Sequence, residues 1–287
     1  MKFKKTSDAN RTLVFDITIP AEDIAKRYTT ALTHHAKKAK IEGFREGKAP
    51  LALVEKNTSR EAIYDQLIQT LLPDAYKALL EAEKFHPVIS PKVDLKHAKE
   101  GVDWILTMSI ALAPTVKVPD YKKIVKSVRG SAKKEDIWVP GKDDSADKSA
   151  VEKREKFLND VLKMLLDKTE IELSDLIVDE EISQRLARLV DDIRRIGLTI
   201  ESYLESRKTT QDELREEFKK DIMNTYKLEY ALNEIGDTEK ITIENAEIDE
   251  MIESMPDEAS KKEARENAYV YGMMLRKQKI LDFLGGL

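Results

Sequence analysis

The stretch VDWILTMSIAL, residues 102–112, has an apolar side chain at every second position. This period of two predicts a β-strand with one face turned towards a core. Just before it, Val93, Leu95 and His97 alternate in the same way, and the turn at Lys99–Gly101 joins the two runs. We therefore expect a hairpin, whose second strand is the clearest strand signal in the chain.

The segments before this hairpin predict one earlier strand and two long helices. Leu13, Phe15, Ile17 and Ile19 form the more apolar face of a predicted strand, and a helix is expected to begin at Pro20. A second helix is expected to begin at Thr58, because Thr58 and Glu61 have capping-box spacing, and to kink at Pro73. A strand that returns after two helices favours an antiparallel sheet with the helices on one face. Residues 1–126 should thus form an α+β domain.

Charge is distributed unevenly about residue 126. The whole chain has 49 Lys and Arg against 54 Asp and Glu, a net charge of −5. Up to residue 126 the counts are 22 and 16, a net charge of +6, which leaves −11 for the remainder. A basic module fits a polyanionic partner such as RNA, although an ordinary domain with excess lysine has the same composition.

Composition excludes several classes of protein. With no Cys, the chain has no disulfide scaffold, no thiolate metal site and no cysteine nucleophile. No apolar run approaches the roughly 20 residues that span a bilayer, and the basic start of the chain lacks the apolar region of a secretory signal. We expect a soluble, cytoplasmic protein without a membrane partner.

Beyond residue 126 the pattern changes twice. Residues 127–149, rich in Gly, Ser, Asp and Lys, predict a linker with one local anchor at Ile137–Pro140; the alternative is that this cluster docks on a neighbouring domain as a strand edge. Residues 150–287 have helical spacing and predict an all-α domain. Two signals within it are a capping box at Thr210 and Glu213 and one long apolar stripe, Val178, Ile182, Leu186, Leu189, Ile193 and Ile196.

A search for chemistry finds little. The chain has no phosphate-binding loop and no dinucleotide glycine motif. Its four histidines, His34, His35, His86 and His97, do not have metal-ligand spacing. The acidic pairs lie in highly charged helical segments and are expected to face solvent. We therefore expect no catalytic residue, no metal site and no cofactor.

The segment GFREGKAP, residues 43–50, breaks the local pattern between two predicted helices. Gly43 and Gly47 permit positive φ, and Pro50 suits the start of a helix. The segment is therefore expected to be a loop rather than part of either helix.

Phe44, flanked by Arg45 and Lys48, allows two interpretations of this loop. In the first, it is a docking anchor, with the ring in a partner's pocket and the cations making directed contacts. In the second, Phe44 folds back as a hydrophobic plug and the cations are only solvated.

The octapeptide resembles the ribosome-docking signature of trigger factor, a family of ribosome-associated chaperones, which reads G-F-R-x-G-K-x-P. All six specified positions match, namely Gly43, Phe44, Arg45, Gly47, Lys48 and Pro50. Residues 105–121 resemble the strand that closes the family's amino-terminal domain, and residues 165–182 and 242–252 are similar to its helical carboxy-terminal domain. The resemblance thus covers residues 1–126 and 150–287.

Two departures from the family pattern stand out. Glu46 lies where many members have a cation or a proline, and this negative charge is expected to weaken attraction to ribosomal RNA. In addition, only residues 127–149 lie where members usually carry a prolyl-isomerase domain. The chain looks like a form without that domain, so it is not expected to be an enzyme.

The resemblance implies an ATP-independent chaperone that docks near the nascent-chain exit tunnel. Its loop would contact a protein and rRNA of the large ribosomal subunit, and exposed apolar patches would shelter unfolded nascent polypeptides. The helical methionines allow two interpretations, adaptable client-binding surface or ordinary core, and they include Met251, Met255, Met273 and Met274. Some family members dimerise when free, which leaves a homodimer open here. The alternative is a non-ribosomal helical scaffold or adaptor, or a free holdase, that retained the fold.

Overall fold

The computed structural model describes residues 1–42, 44–135 and 146–287. The chain divides into two compact units, Met1–Ala113 with Ser174–Asp179, and Pro114–Leu173 with Glu180–Leu287. The first unit's amino-terminal segment thus ends at Ala113, whereas the sequence analysis placed the domain boundary at residue 126.

The first unit contains a four-stranded antiparallel sheet in the order β1-β2-β4-β3 and three helices. Its elements are β1 (Lys2–Ala9), β2 (Thr12–Ile19), α1 (Ala21–Lys38), α2 (Leu51–Asn57), α3 (Arg60–Glu83), β3 (Lys92–His97) and β4 (Trp104–Ala111). The α+β fold class predicted for this part of the chain is confirmed.

The core of the first unit lies between the sheet and its helices, as the alternating pattern predicted. Every second side chain of β2 is buried, and Phe15 lies opposite Met108 of β4 in the antiparallel register. The helices contribute a matching apolar stripe, which includes Leu32 of α1 and Leu67 and Leu71 of α3. Burial of such side chains from water is the main force that holds sheet and helices together.

Strand β1 was not predicted, because its sequence KFKKTSDA has no apolar alternation. It is an edge strand whose side chains are mostly exposed, and only Phe3 packs against the core. Its pairing with β2 depends on the two-residue turn Asn10-Arg11, in which both residues have positive φ (48° and 56°). Lysines on an exposed edge also discourage pairing with other chains.

Helix α3 continues through Pro73 to Glu83, as predicted. The predicted cap at Thr58 is wrong, since Ser59 is the N-cap and its hydroxyl accepts a hydrogen bond from the Ala62 N–H at 3.2 Å. Thr58 instead ends α2.

The second unit is mostly helical, as predicted for the carboxy-terminal part. Its elements are β5 (Thr115–Lys117), α4 (Tyr121–Glu135), α5 (Ala146–Lys168), β6 (Glu170–Glu172), α6 (Asp175–Arg195, the first turn of which belongs to the first unit), α7 (Ile200–Arg207), α8 (Gln211–Thr238), α9 (Asn245–Glu253), α10 (Glu258–Glu266) and α11 (Ala268–Gly286). Strands β5 and β6 form a short antiparallel pair that the sequence did not predict. The core joins α4, α5, α8 and α11 through Ile124, Val125, Val128, Val161, Leu165, Leu232, Ile235, Ile280 and Leu284.

Helix α4 takes in residues 127–135, which the sequence analysis assigned to a linker. The physical reason is the apolar face of Ile124, Val125 and Val128, which is buried in the core of the second unit. This stripe begins before residue 127, so the segment from 127 onwards shows too little of it to be recognised alone. The predicted anchor at Ile137–Pro140 lies outside the described residues.

Within the described ranges, no helix combines the length and the apolar character needed to cross a membrane.

Candidate functional site

The candidate docking loop, residues 39–50, connects α1 to α2 in the first unit. Pro50 occupies the N-cap position of α2, and its carbonyl accepts hydrogen bonds from the backbone N–H groups of Leu53 (2.9 Å) and Val54 (3.1 Å). Ala39, Ile41 and Ala49 pack against the apolar core of the unit. Both ends of the loop are therefore attached to the core, and residues 44–46 between them are exposed. Gly43 lies outside the described residues.

Gly47 holds the returning half of the loop against the end of α1. Its φ is +73°, and its N–H donates to the Ala39 carbonyl at 3.4 Å. A Cβ atom at this position would lie 2.9 Å from the Lys37 carbonyl oxygen. Only glycine satisfies both the positive φ and this close approach without strain.

Phe44 is 45% exposed, although its backbone is fixed by a 3.0 Å hydrogen bond from its N–H to the Ile41 carbonyl. The ring is not folded into the core, so the plug interpretation does not describe this structure. An exposed ring on a backbone attached at both ends is the arrangement that the docking interpretation requires.

The loop and the end of α1 carry an excess of positive charge. Arg45 and Lys48 are exposed and have no ion-pair partner among the described residues. Glu46 forms an exposed ion pair with Lys40, in which the Lys40 Nζ lies 3.6 Å from a Glu46 carboxylate oxygen. The local charge therefore stays positive even though Glu46 departs from the family pattern.

The second unit exposes an apolar stripe on α11, made of Tyr269 (78% exposed), Val270 (41%), Met273 (48%) and Met274 (59%). These positions share one side of the helix. Another side packs closely on α9, because a Cβ at Gly272 would lie 3.0 Å from Ile248. Of the four methionines expected to offer adaptable surface, Met273 and Met274 are exposed, and Met251 and Met255 are partly buried.

A smaller apolar surface lies at the turn between α6 and α7. Ile196 (71% exposed) and Leu198 (46%) flank Gly197, which has a φ of +76°. The sequence analysis counted Ile196 as the last member of the apolar stripe of α6, and the structure leaves this last member exposed. The helix ends at Arg195 before its stripe reaches Ile196, so the side chain points into solvent.

A metal site or a general base would be built from titratable side chains. No group of three His, Cys, Asp or Glu side chains among the described residues is placed to hold a metal ion. Burial and the hydrogen bond that its hydroxyl donates to Glu239 raise the pKa of Tyr121 to about 12. Burial and the nearby Glu181 raise the pKa of Tyr226 to about 12 as well. Both phenols therefore stay protonated at neutral pH and do not serve as bases.

An open groove of about 480 Å³ in the second unit lies between β5 and α8. It is lined by Pro114, Thr115, Val116, Glu229, Tyr230, Asn233, Glu234 and Asp237. Burial raises the pKa of Tyr230, and the charge of Glu229 adds to this shift. The groove thus combines three carboxylates with one phenol, one hydroxyl and one amide.

Comparison with known proteins gives two family matches. The model described as bacterial trigger factor protein matches residues 1–138, and the model of the trigger factor C-terminus matches residues 142–282. Only residues 139–141 separate the two matches. Together they cover nearly the whole chain.

Curated relatives match over less than half of this chain. Trigger factor from Limosilactobacillus reuteri (strain DSM 20016) is 33% identical over 122 residues, which are 42% of this chain and 28% of the relative. Trigger factor from Lactococcus lactis subsp. lactis (strain IL1403) is 32% identical over 139 residues, or 48% of this chain and 32% of the relative. These matches thus span about a third of each relative's length.

A solved structure reported as "Promiscuous Substrate Recognition in Folding and Assembly Activities of the Trigger Factor Chaperone" has the same fold. Its TM-score is 0.69 at 14% identity, and the match covers 100% of this chain and 99% of that one. Fold and loop define a class of two-unit protein with an α+β amino-terminal unit and a helical carboxy-terminal one. Within that class, the chain belongs to the trigger factor family.

Proposed function

We propose that this protein is an ATP-independent chaperone that docks beside the nascent-chain exit tunnel of the ribosome and shelters newly made polypeptides. The observation that carries the proposal is the exposed Phe44 ring on the docking loop, next to Arg45 and Lys48, which have no ion-pair partner among the residues that the structure describes. Family membership supports it. Because the ribosome lies there, the proposal places the protein in the cytoplasm.

The docking step follows from the chemistry of the loop. Burying a phenylalanine side chain in a partner's pocket contributes about 1.5–3 kcal/mol. Arg45 supplies a planar, bidentate donor for a carboxylate of a ribosomal protein, and Lys48 supplies a compact cation for an rRNA phosphate. Gly47 and Pro50 shape the loop that presents these side chains, and Gly43 completes the match to the family signature.

The sheltering step uses the exposed apolar side chains of the second unit. The α11 stripe offers two methionines, which adapt to varied partners because their side chains are flexible and polarisable. Unfolded segments expose apolar side chains that such a surface covers. Because each contact is small, clients leave without an energy source.

The test is ribosome co-sedimentation of the Phe44→Ala/Arg45→Ala variant. An interface hot spot contributes about 2 kcal/mol or more, so we expect ribosome binding to weaken at least about 30-fold. Suppression of aggregation by the free protein should persist, because Phe44 and Arg45 lie in the first unit and the α11 stripe lies in the second.

A matched control is Leu95→Ala/Lys92→Ala on β3. Leu95 is 46% exposed, close to the 45% of Phe44, and Lys92 is exposed in the same unit. This control should bind ribosomes like the wild type. Unchanged ribosome binding by the Phe44→Ala/Arg45→Ala variant would refute the docking proposal.

The second candidate is a non-ribosomal scaffold or adaptor, or a free holdase, that retained the fold. The Lys40–Glu46 ion pair favours it, because it lowers the positive charge of the loop. Weak ribosome binding that the Phe44→Ala/Arg45→Ala change leaves unaltered, together with one defined protein partner, would support this candidate. A homodimer of the free protein is compatible with either function.

A further inference from the structure

The fold brings the end of α1 and the returning half of the docking loop together. The Gly47 N–H reaches the Ala39 carbonyl at 3.4 Å, and the Gly47 Cα approaches the Lys37 carbonyl so closely that a Cβ would lie 2.9 Å away. The backbone around residues 37–40 is therefore adjacent to the backbone around residues 46–48. Across this junction, the Lys40 and Glu46 side chains meet in an ion pair.

This region carries five cations and two anions between residues 37 and 48. Lys37, Lys38 and Lys48 are exposed, and none of them has an ion-pair partner among the described residues. Lys40 is the exception, because it pairs with Glu46 while remaining 82% exposed. Arg45 is likewise exposed and without an ion-pair partner in the described part of the chain, so four of the five cations can meet a partner, and Lys40 is held by an internal carboxylate.

The net positive charge of residues 37–48 favours a polyanionic partner. The carboxyl end of α1 carries about half a negative charge from the helix dipole, and Lys37 and Lys38 alone outweigh it. The lysine ammonium group is a compact charge on a flexible side chain, so it can follow regularly spaced phosphates. It is less suited to the planar, two-oxygen geometry of a protein carboxylate. Phosphate contacts of this kind need no base-specific geometry.

We propose that Lys37, Lys38, Lys40 and Lys48 form a surface that binds the phosphate backbone of RNA, and that Glu46 competes with phosphate for Lys40. This inference deepens the proposed function, on which it rests for the identity of the RNA as ribosomal. While the Glu46 carboxylate is paired with Lys40, it takes the place of a phosphate. This ion pair must break before Lys40 can make a fourth lysine–phosphate contact.

The experiment measures binding of the full chain to large ribosomal subunits and to a short RNA duplex alone, each at about 50 and 200 mM salt. Raising the salt concentration from about 50 to 200 mM weakens binding about threefold for every lysine–phosphate contact. Lys37→Gln/Lys38→Gln removes two such contacts. Over the same salt range, we therefore expect its affinity to fall by a factor about ten times smaller than that of the wild type. The control Lys77→Gln/Lys92→Gln removes the same charge from exposed sites elsewhere in the unit and should leave the loss unchanged.

Competition for Lys40 is tested by a double-mutant cycle. Glu46→Gln should bind the RNA duplex more tightly than the wild type, because it frees one more cation. Its loss of affinity between the two salt concentrations should be about threefold larger than that of the wild type. Most of this gain should vanish in the Lys40→Gln background. Glu42→Gln is the matched control, since Glu42 is exposed in the same loop and has no ion-pair partner among the described residues.

Three outcomes would overturn the inference. One is that Lys37→Gln/Lys38→Gln behaves like its control on the RNA duplex. Another is that it binds subunits more weakly with unchanged salt dependence, which would indicate a protein partner. The third is an equal gain from Glu46→Gln with and without Lys40, which would mean direct repulsion of phosphate. If Phe44→Ala/Arg45→Ala leaves subunit binding intact, the proposed function fails, while the RNA-duplex series still decides this inference.

Discussion

At the scale of single residues, the docking loop depends on Gly47. Its φ of +73° costs an alanine about 1–2 kcal/mol, and the added Cβ would also meet the Lys37 carbonyl at 2.9 Å. Gly101 isolates the first of these effects, because its φ is +78° but nothing lies within 4 Å of its Cβ position.

We therefore expect Gly47→Ala to lower the free energy of unfolding by about 1–3 kcal/mol more than Gly101→Ala does. Urea unfolding followed by circular dichroism measures both variants. Equal losses would show that the loop moves away from α1 at little cost, and that the close approach does not hold it in place.

At the scale of elements, helix α8 begins with a reciprocal capping box. The Thr210 hydroxyl accepts a hydrogen bond from the Glu213 N–H at 3.2 Å, and a Glu213 carboxylate oxygen accepts one from the Thr210 N–H at 2.9 Å. Thr210→Ala should lower the free energy of unfolding by about 1 kcal/mol. Thr225→Ala, at an exposed position within α8, should have little effect or stabilise, since alanine has the higher helix propensity. A larger loss at Thr225 would contradict the capping argument.

The same cap predicts a pH dependence. Hydrogen bonds, chiefly from the Thr210 backbone N–H, hold the pKa of Glu213 below its ordinary value. A carboxyl whose pKa is lower in the folded state stabilises the protein above its unfolded pKa and loses that effect as the pH falls. The stability difference between the wild type and Glu213→Gln should therefore shrink as the solution is acidified below about pH 4.

Helix α11 tests the sheltering proposal. Met273→Ser/Met274→Ser removes the two exposed methionines of its stripe, so we expect weaker suppression of the aggregation of an unfolded client. The control Val88→Ser/Val102→Ser changes apolar side chains of the first unit that are 47% and 42% exposed. If both variants lose suppression equally, clients do not depend on the α11 stripe.

At the scale of the whole molecule, the two family matches follow each other with only residues 139–141 between them. This interval is too short for a prolyl-isomerase domain, so we expect no isomerase activity. A test protein whose refolding is limited by proline isomerisation should refold in the presence of this chain with its uncatalysed time constant of about tens to hundreds of seconds. Turnover of a proline peptide would contradict the prediction.

The comparison of sequence with structure separates local signals from distant ones. The alternation of β2 and β4 and the capping box of α8 were predicted correctly, because each depends on residues close together in the chain. Strand β1 was missed because it has no apolar alternation, and its pairing partner defines it. The helical state of residues 127–135 was missed because Val128 is buried by residues far along the chain.

The candidate site divides in the same way. The six residues that match the family signature and the positive φ of Gly47 could be predicted from the amino-acid sequence, and so could the α+β and helical architecture, since period, caps and turns are properties of neighbouring residues. Whether Phe44 faces solvent, where Glu46 directs its charge and which apolar side chains of α11 remain uncovered were decided only by the tertiary structure. The physical reason is that exposure and ion pairing depend on which other parts of the chain come to lie alongside.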